Sequence, residues 1–188
     1  MAKPILVANW KNYPSSLAEA KSLLTSLAKK KDIYKKTRLF VAPPFTYFES
    51  AAARVKSFGD LASQDFFAKQ GTYTGTVSAP MLKSFGTRLA IIGHSEQRAL
   101  GETAEEAGEK ARAAFKAGIT PLICFGEKTR DADGEHFRVL QEELKTLLSG
   151  FSKKDGGVFM LAYEPLWAIG SASKGAIDPL ELSQTILF

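Results

Sequence analysis

The chain has 188 residues, of which 45% are hydrophobic and 24% charged, and its formal net charge is +5 at pH 7. This composition excludes a mainly disordered chain, and the sequence contains no run of 18 apolar residues that could cross a membrane. A single cysteine, Cys124, excludes a disulfide framework, and two histidines leave little room for a His-rich metal site. The N-terminal apolar run is too short for a signal peptide, so we expect a cytoplasmic protein without a membrane partner.

Positive charge is concentrated in the first third of the chain. Residues 1–60 contain 11 Lys and Arg against 4 Asp and Glu, whereas the remaining residues have a net charge of −2. A basic segment can attract nucleic acid or an anionic small substrate. Lys29, Lys30 and Lys31 fall where a helix should end, which favours cations, and no nucleic-acid motif accompanies them. We therefore expect no nucleic-acid partner.

Short apolar runs alternate with amphipathic stretches along the whole chain, which predicts alternating strands and helices. The runs are apolar throughout, as in parallel strands covered on both faces. The predicted strands are Ile5–Ala8, Arg38–Ala42, Asp60–Ser63, Leu89–Ile92, Thr120–Cys124 and Val158–Ala162. The predicted helices are Ser16–Lys31, Thr46–Ser57, Ala79–Phe85, Ala104–Ala117, Glu135–Leu148 and Pro179–Leu187.

Helix boundaries are marked by local signals, but no signal marks a domain boundary. Ser15 or Ser16 can cap the first helix, and Asp178-Pro179 can cap and open the last one. Since no linker or change of composition interrupts the repeat, we predict one α/β domain over residues 1–188. An open doubly wound sheet and part of a (β/α)8 barrel both fit this order.

Polar side chains follow five of the six predicted strands at their carboxyl ends. They are Asn9 and Lys11, Gln64, His94 with Ser95 and Glu96, Glu127, and Glu164. This end of a parallel sheet carries the active site in α/β folds. A carboxylate, an imidazole and an ammonium converging there suit proton abstraction beside a carbonyl. The carboxylate would act as general base while the other two stabilise charge on the carbonyl oxygen, and no metal is required.

Several segments resemble triosephosphate isomerases, in the order and approximate spacing of that family. They are Asn9-Trp10-Lys11-Asn12, Thr72–Ser78, Ile92-Gly93-His94-Ser95-Glu96, Cys124–Glu127 and Ala162–Gly170. The resemblance runs from residue 5 to the end and implies an incomplete TIM (β/α)8-type barrel with about six parallel βα units. The family's seventh and eighth strands, and the loops after them, are expected to be absent from this C-terminally truncated member.

The resemblance implies a cofactor-free interconversion of dihydroxyacetone phosphate and glyceraldehyde 3-phosphate. Glu164 matches the base that shuttles a proton between two substrate carbons, and His94 matches the neutral imidazole that polarises the carbonyl. Lys11 matches the lysine that holds the substrate's charge, and Glu96 the carboxylate that supports this lysine.

Substrate binding is implied for three further positions. Asn9 matches an asparagine that helps to bind and polarise the substrate, and Gly170 and Ser171 match the lid segment that contacts the phosphate. The lid would span Pro165–Lys174, where this sequence is about two residues longer before its next proline than the family pattern.

The sequence also departs from the family at the subunit contact. Thr76 stands where the family usually has Glu, and Gln97 where it usually has Arg, so the usual dimer is not assumed. An unclosed barrel would expose two apolar edge strands, which favours a homo-oligomer that covers them. The loops after the seventh and eighth strands commonly bind phosphate in this fold, so their expected absence keeps an alternative open, a catalytically silent self-associating scaffold of the same fold. The basic first third keeps an anion- or nucleic-acid-binding module open as another alternative.

Four other side chains have structural interpretations. Cys124 is predicted to be a buried apolar filler, and Trp167 to be a packing residue. Glu127 is predicted to be structural, with an arginine such as Arg98 as its partner. His136, in an amphipathic helix, is predicted to lie on the surface.

Overall fold

The computed structural model describes residues 3–131, 133–152, 154, 159–169 and 176–187. Strands and helices alternate along these residues. The strands are β1 (Ile5–Asn9), β2 (Arg38–Ala42), β3 (Asp60–Ser63), β4 (Leu89–Ile92), β5 (Thr120–Phe125) and β6 (Met160–Tyr163). The helices are α1 (Leu17–Lys29), α2 (Phe48–Val55), α3 (Ala79–Ser84), α4 (Ser95–Ala99), α5 (Ala104–Lys116), α6 (Glu135–Leu147) and α7 (Pro179–Leu187).

The strands follow one another in the order β1-β2-β3-β4-β5-β6, and neighbouring strands pair in parallel. The β1–β2 register joins Ile5 to Arg38, and the β5–β6 register joins Leu122 to Met160. Parallel neighbours in sequence order, each joined by a crossover that contains a helix, are the arrangement of a (β/α)8 barrel. The fold is an incomplete barrel of this type with six βα units, which confirms the predicted class and excludes the doubly wound alternative.

The chain divides into two compact units, which are described separately. The first unit comprises Met1–Ile91 and Ala113–Pro121, and the second comprises Ile92–Arg112 and Leu122–Phe188. One domain over residues 1–188 stays a prediction.

The core of the first unit forms between β2 and the helices beside it. All four residues after Arg38 in β2 are buried, as are Leu24 of α1 and Val55 of α2. Helix α1 begins because the Ser16 hydroxyl accepts the Glu19 backbone N–H at 3.2 Å, which confirms the predicted cap. It ends at Lys29, two residues before the predicted Lys31, since the chain there tightens into a 3₁₀ segment, Lys31–Lys36.

In the second unit, α6 and β5 both bury apolar side chains. Leu140 and Leu147 of α6 and Ile123 of β5 are 0–1% exposed. His136 lies on the same face of α6 and is only 6% exposed, so the surface position predicted for it is wrong. Its spacing from Leu140, four residues, places both side chains on one side of the helix.

Asp131 secures the start of α6. Its carboxylate accepts the backbone N–H groups of Glu135 at 2.9 Å and His136 at 2.8 Å, and its Oδ2 lies 3.1 Å from His136 Nδ1. Desolvation opposes the ionised form, but these hydrogen bonds outweigh it and lower the pKa of Asp131 to about 2. The carboxylate is therefore ionised at neutral pH and acts as an N-terminal cap of the helix.

Candidate active site

In the first unit, the chain leaves β1 through a turn that fixes the Lys11 backbone. Lys11 has a φ of +53° and is the one non-glycine residue with a positive φ among the residues described. Its N–H donates to Asn9 Oδ1 at 2.9 Å. Left-handed backbone at a lysine is strained, and strain of this kind concentrates at functional sites. The predicted residues Asn9 and Lys11 are thus joined by a direct contact.

Gln64, at the end of β3, holds the other side of this turn. Its Nε2 donates to the Lys11 carbonyl at 2.9 Å and to the Ala42 carbonyl at 2.8 Å. The sequence indicated Gln64 only as a polar residue at a strand end. Its part in holding Lys11 depends on the neighbouring positions of β1, β2 and β3, and no local signal in the sequence shows it.

In the second unit, His94 caps α4, a five-residue helix that the strand and helix pattern did not predict. Its Nδ1 accepts the Glu96 backbone N–H at 3.2 Å. Because Nδ1 is an acceptor in this bond, the neutral ring carries its proton on Nε2. The side chain is 14% exposed, so Nε2–H is a fixed and partly desolvated donor.

Glu164 directly follows β6, and its carboxylate meets the start of α4. Its Oε2 accepts the Ser95 backbone N–H at 3.1 Å, and its Oε1 lies 3.5 Å from His94 Nε2. The side chain is 23% exposed. The His94 imidazole and the Glu164 carboxylate therefore lie close together at the carboxyl ends of β4 and β6. Glu96 lies close by, with Oε2 3.7 Å from His94 Nδ1, but its side chain is 55% exposed.

The backbone beside Glu164 leaves no room for a side chain on its neighbour Gly126. The Glu164 N–H donates to the Phe125 carbonyl at 2.8 Å. A Cβ on Gly126 would lie 2.1 Å from the Glu164 carbonyl oxygen. Glycine is therefore required where the end of β5 approaches the end of β6.

Glu127 is almost fully buried and is surrounded by donors. Its carboxylate accepts hydrogen bonds from Tyr163 Oη at 2.8 Å, Trp167 Nε1 at 2.9 Å and Arg130 Nη1 at 3.0 Å. Burial of Tyr163 and, to a smaller extent, the neighbouring Glu127 carboxylate raise the pKa of Tyr163 to about 12. The sequence suggested Arg98 as the arginine beside Glu127, but the partner is Arg130, which is three residues away in the loop after β5. Arg98 pairs with Glu143 instead.

Cys124 is buried at 2% exposure, as predicted. Burial, reinforced by the nearby Glu164 carboxylate, raises the pKa of the thiol. The thiol is therefore protonated at neutral pH and is a poor nucleophile.

A cavity of about 460 Å³ opens beside Glu164 in the second unit. Its lining includes Ser95, Phe125, Gly126, Asp131, His136 and Leu166. Within the described part of the chain, no three His, Cys, Asp or Glu side chains are grouped as a metal site. Gly170 and Ser171, and the lid beyond Ile169, lie outside the described residues. No described helix is long and apolar enough to cross a membrane.

Comparisons with known proteins give the chain its family. Residues 4–181 match the family model of triosephosphate isomerase. The triosephosphate isomerase of Citrifermentans bemidjiense is 38% identical over 183 residues, which cover 95% of this chain and 72% of that protein. That of Rubrobacter xylanophilus is 37% identical, covering 90% of this chain and 68% of its own length, and that of Bordetella pertussis is 38% identical, covering 96% and 79%. The chain therefore belongs to the triosephosphate isomerase family.

Proposed function

We propose that this chain interconverts dihydroxyacetone phosphate and glyceraldehyde 3-phosphate by proton transfer, without a metal or a cofactor. The observation that carries the proposal is the His94–Glu164 pair, in which Nε2 lies 3.5 Å from Oε1. Family membership supports the substrate. A role in glycolysis and gluconeogenesis in the cytoplasm is part of the same proposal.

The chemistry follows from the two groups that meet at the ends of β4 and β6. Glu164 takes a proton from the carbon beside the substrate carbonyl and returns it to the neighbouring carbon. His94 donates from Nε2–H to the carbonyl oxygen and stabilises the enediolate that forms between the two transfers. The partial burial of both side chains strengthens these interactions because it removes competing water.

The remaining predicted residues bind and orient the substrate in this proposal. Lys11 supplies a positive charge to the substrate from a backbone that Asn9 and Gln64 hold. Glu96 supports the charge of Lys11, and Gly170 and Ser171 contact the phosphate.

A coupled isomerase assay tests the proposal. We expect turnover by the parent chain and a loss of about 10²- to 10⁴-fold in kcat for Glu164→Ala, the range for a general base. Equal rates in the two proteins would overturn the enzyme proposal.

The second candidate is the catalytically silent scaffold that self-associates, and the exposed apolar residues favour its self-association. Ile5 and Leu6 of β1 are 48% and 47% exposed, and Leu161 of β6 is 44% exposed. These strands are the first and last in the sheet order, and edge strands with exposed apolar side chains favour pairing with a second copy. Light scattering at micromolar concentration should then show a homo-oligomer. A strictly monomeric species would contradict self-association, whereas the isomerase assay decides whether the chain is silent.

A further inference from the structure

We propose that Arg98 and Glu143 are positioning residues for the His94–Glu164 pair. The proposal rests on the proposed isomerase function and adds to it two side chains that act through the backbone around His94 and Glu164. Their ion pair has Arg98 Nη1 2.7 Å from Glu143 Oε1, and the side chains are 19% and 14% exposed.

The first connection runs from this ion pair to His94. Arg98 belongs to α4, and its backbone N–H donates to the His94 carbonyl at 3.0 Å in the first turn of that helix. The helix also supplies the Ser95 N–H that reaches Glu164. A rotation of α4 would therefore move the His94 imidazole and break the hydrogen bond from the Ser95 N–H to Glu164.

The second connection runs from the same pair to Glu164. Glu143 Oε2 accepts the Gly126 N–H at 3.1 Å, while Arg98 Nη2 donates to the Cys124 carbonyl at 3.5 Å. The backbone of Gly126 is the surface against which the Glu164 backbone packs. One guanidinium–carboxylate pair thus joins α4 and α6 to the end of β5, and through them fixes both members of the reacting pair.

The pair does more than neutralise two charges. A carboxylate that binds a guanidinium with one oxygen and a backbone N–H with the other fixes direction as well as distance. Glutamine at position 143 could accept from Arg98 or from Gly126 N–H with its single oxygen, but its amide nitrogen would face the other donor. The variant Glu143→Gln therefore removes positioning while it retains size.

The kinetic test compares Glu143→Gln with Glu142→Gln. Glu142 is the preceding residue of α6, and its partner Arg138 lies on the surface, so this control removes one charge from an exposed ion pair. We expect kcat of Glu143→Gln to fall by about 10- to 100-fold, as for a misplaced catalytic geometry. We expect KM to stay within about twofold, since ground-state binding is unchanged. A parental kcat, or a raised KM with an unchanged kcat, would overturn the proposal.

The double variant Arg98→Met/Glu143→Met covers the case in which the single variant does not fold. Replacement of both partners of a buried ion pair by apolar residues commonly preserves stability. A folded double variant with reduced kcat supports positioning, and one with parental kcat overturns it.

A second readout does not require turnover. In ¹H–¹⁵N spectra, the Ser95 amide resonance should shift in Glu143→Gln and remain in place in Glu142→Gln. If the parent proves inactive in the isomerase assay, the proposed function fails while this measurement still decides the positioning. An unmoved Ser95 amide would overturn it.

Discussion

The Asn9–Lys11 turn and the His94–Glu164 pair position their reactive groups by different means. In the first unit, the constraint is on the backbone: Lys11 has a φ of +53°, and Asn9 and Gln64 bind its N–H and C=O. In the second unit, the constraint is on the side chains, which are partly buried and bound to the start of α4. The Lys11 turn is thus held through backbone groups, whereas the His94 ring and the Glu164 carboxylate are held through their own side-chain atoms.

The largest expected effect comes from crowding the second unit at Gly126. In Gly126→Ala, the added Cβ would lie 2.1 Å from the Glu164 carbonyl oxygen, so the end of β6 must move. We expect a loss of about 100-fold or more in kcat, because small displacements of a catalytic group have effects of that size. Isomerase assays measure the loss in kcat, and thermal unfolding measures the cost of moving the end of β6.

Gly75→Ala is the matched control in the first unit. Gly75 has a φ of +83° and nothing within 4 Å of an added Cβ. It should lose about 1 kcal/mol of stability from backbone strain alone and keep parental kcat. Equal activity in the two alanine variants would show that close packing at Gly126 does not position Glu164.

A comparable effect should come from separating the backbone of Lys11 from its charge. Lys11→Met removes the ammonium and keeps the strained φ, whereas Lys11→Gly removes both. Both variants should lose about 10²- to 10³-fold in kcat/KM, the range for one lost electrostatic stabiliser. Chemical denaturation should show Lys11→Gly to be more stable than Lys11→Met by about 1 kcal/mol. A glycine variant less stable than the methionine variant would contradict strain at this turn.

The smallest effect is an acid dependence in the second unit. Asp131 has a pKa lowered from 3.8 to about 2 by hydrogen bonds that favour its ionised form. A depressed folded-state pKa contributes stability above the ordinary value, and this contribution disappears as the pH falls from about 4 to about 2. The difference in unfolding free energy between the parent and Asp131→Asn should therefore shrink over this range.

Asp133→Asn is the control for this measurement, since Asp133 lies in the same loop and is exposed. The difference in unfolding free energy between Asp133→Asn and the parent should not shrink between about pH 4 and about pH 2 in the same way. A pH-independent difference for Asp131→Asn would contradict the role of its ionised carboxylate at the start of α6.

Local pattern determined the elements and their order, apart from the five-residue α4. The bounds of β2, β3 and β4 are those predicted, and Ser16 and Asp178 cap their helices, the latter by accepting the Leu180 N–H at 2.8 Å. Other ends shifted by a few residues, as with β6, which ends at Tyr163 instead of Ala162. Apolar periods and caps act over three or four residues, so the sequence carries them directly. The strand ends also indicated Asn9, Lys11, His94 and Glu164 as candidates for the site.

Only the tertiary structure decided which of these groups meet and what holds them. Ser95 and Glu164 are 69 residues apart, and Gln64 and Lys11 are 53 residues apart, yet each pair shares a hydrogen bond. Glu127 does pair with an arginine, but which arginine depends on how loops and helices pack, so its partner is Arg130 and not the suggested Arg98. Side chains so distant in the chain meet through strand register and helix packing. Apolar periodicity and capping depend only on residues three or four positions apart, so they cannot predict such contacts.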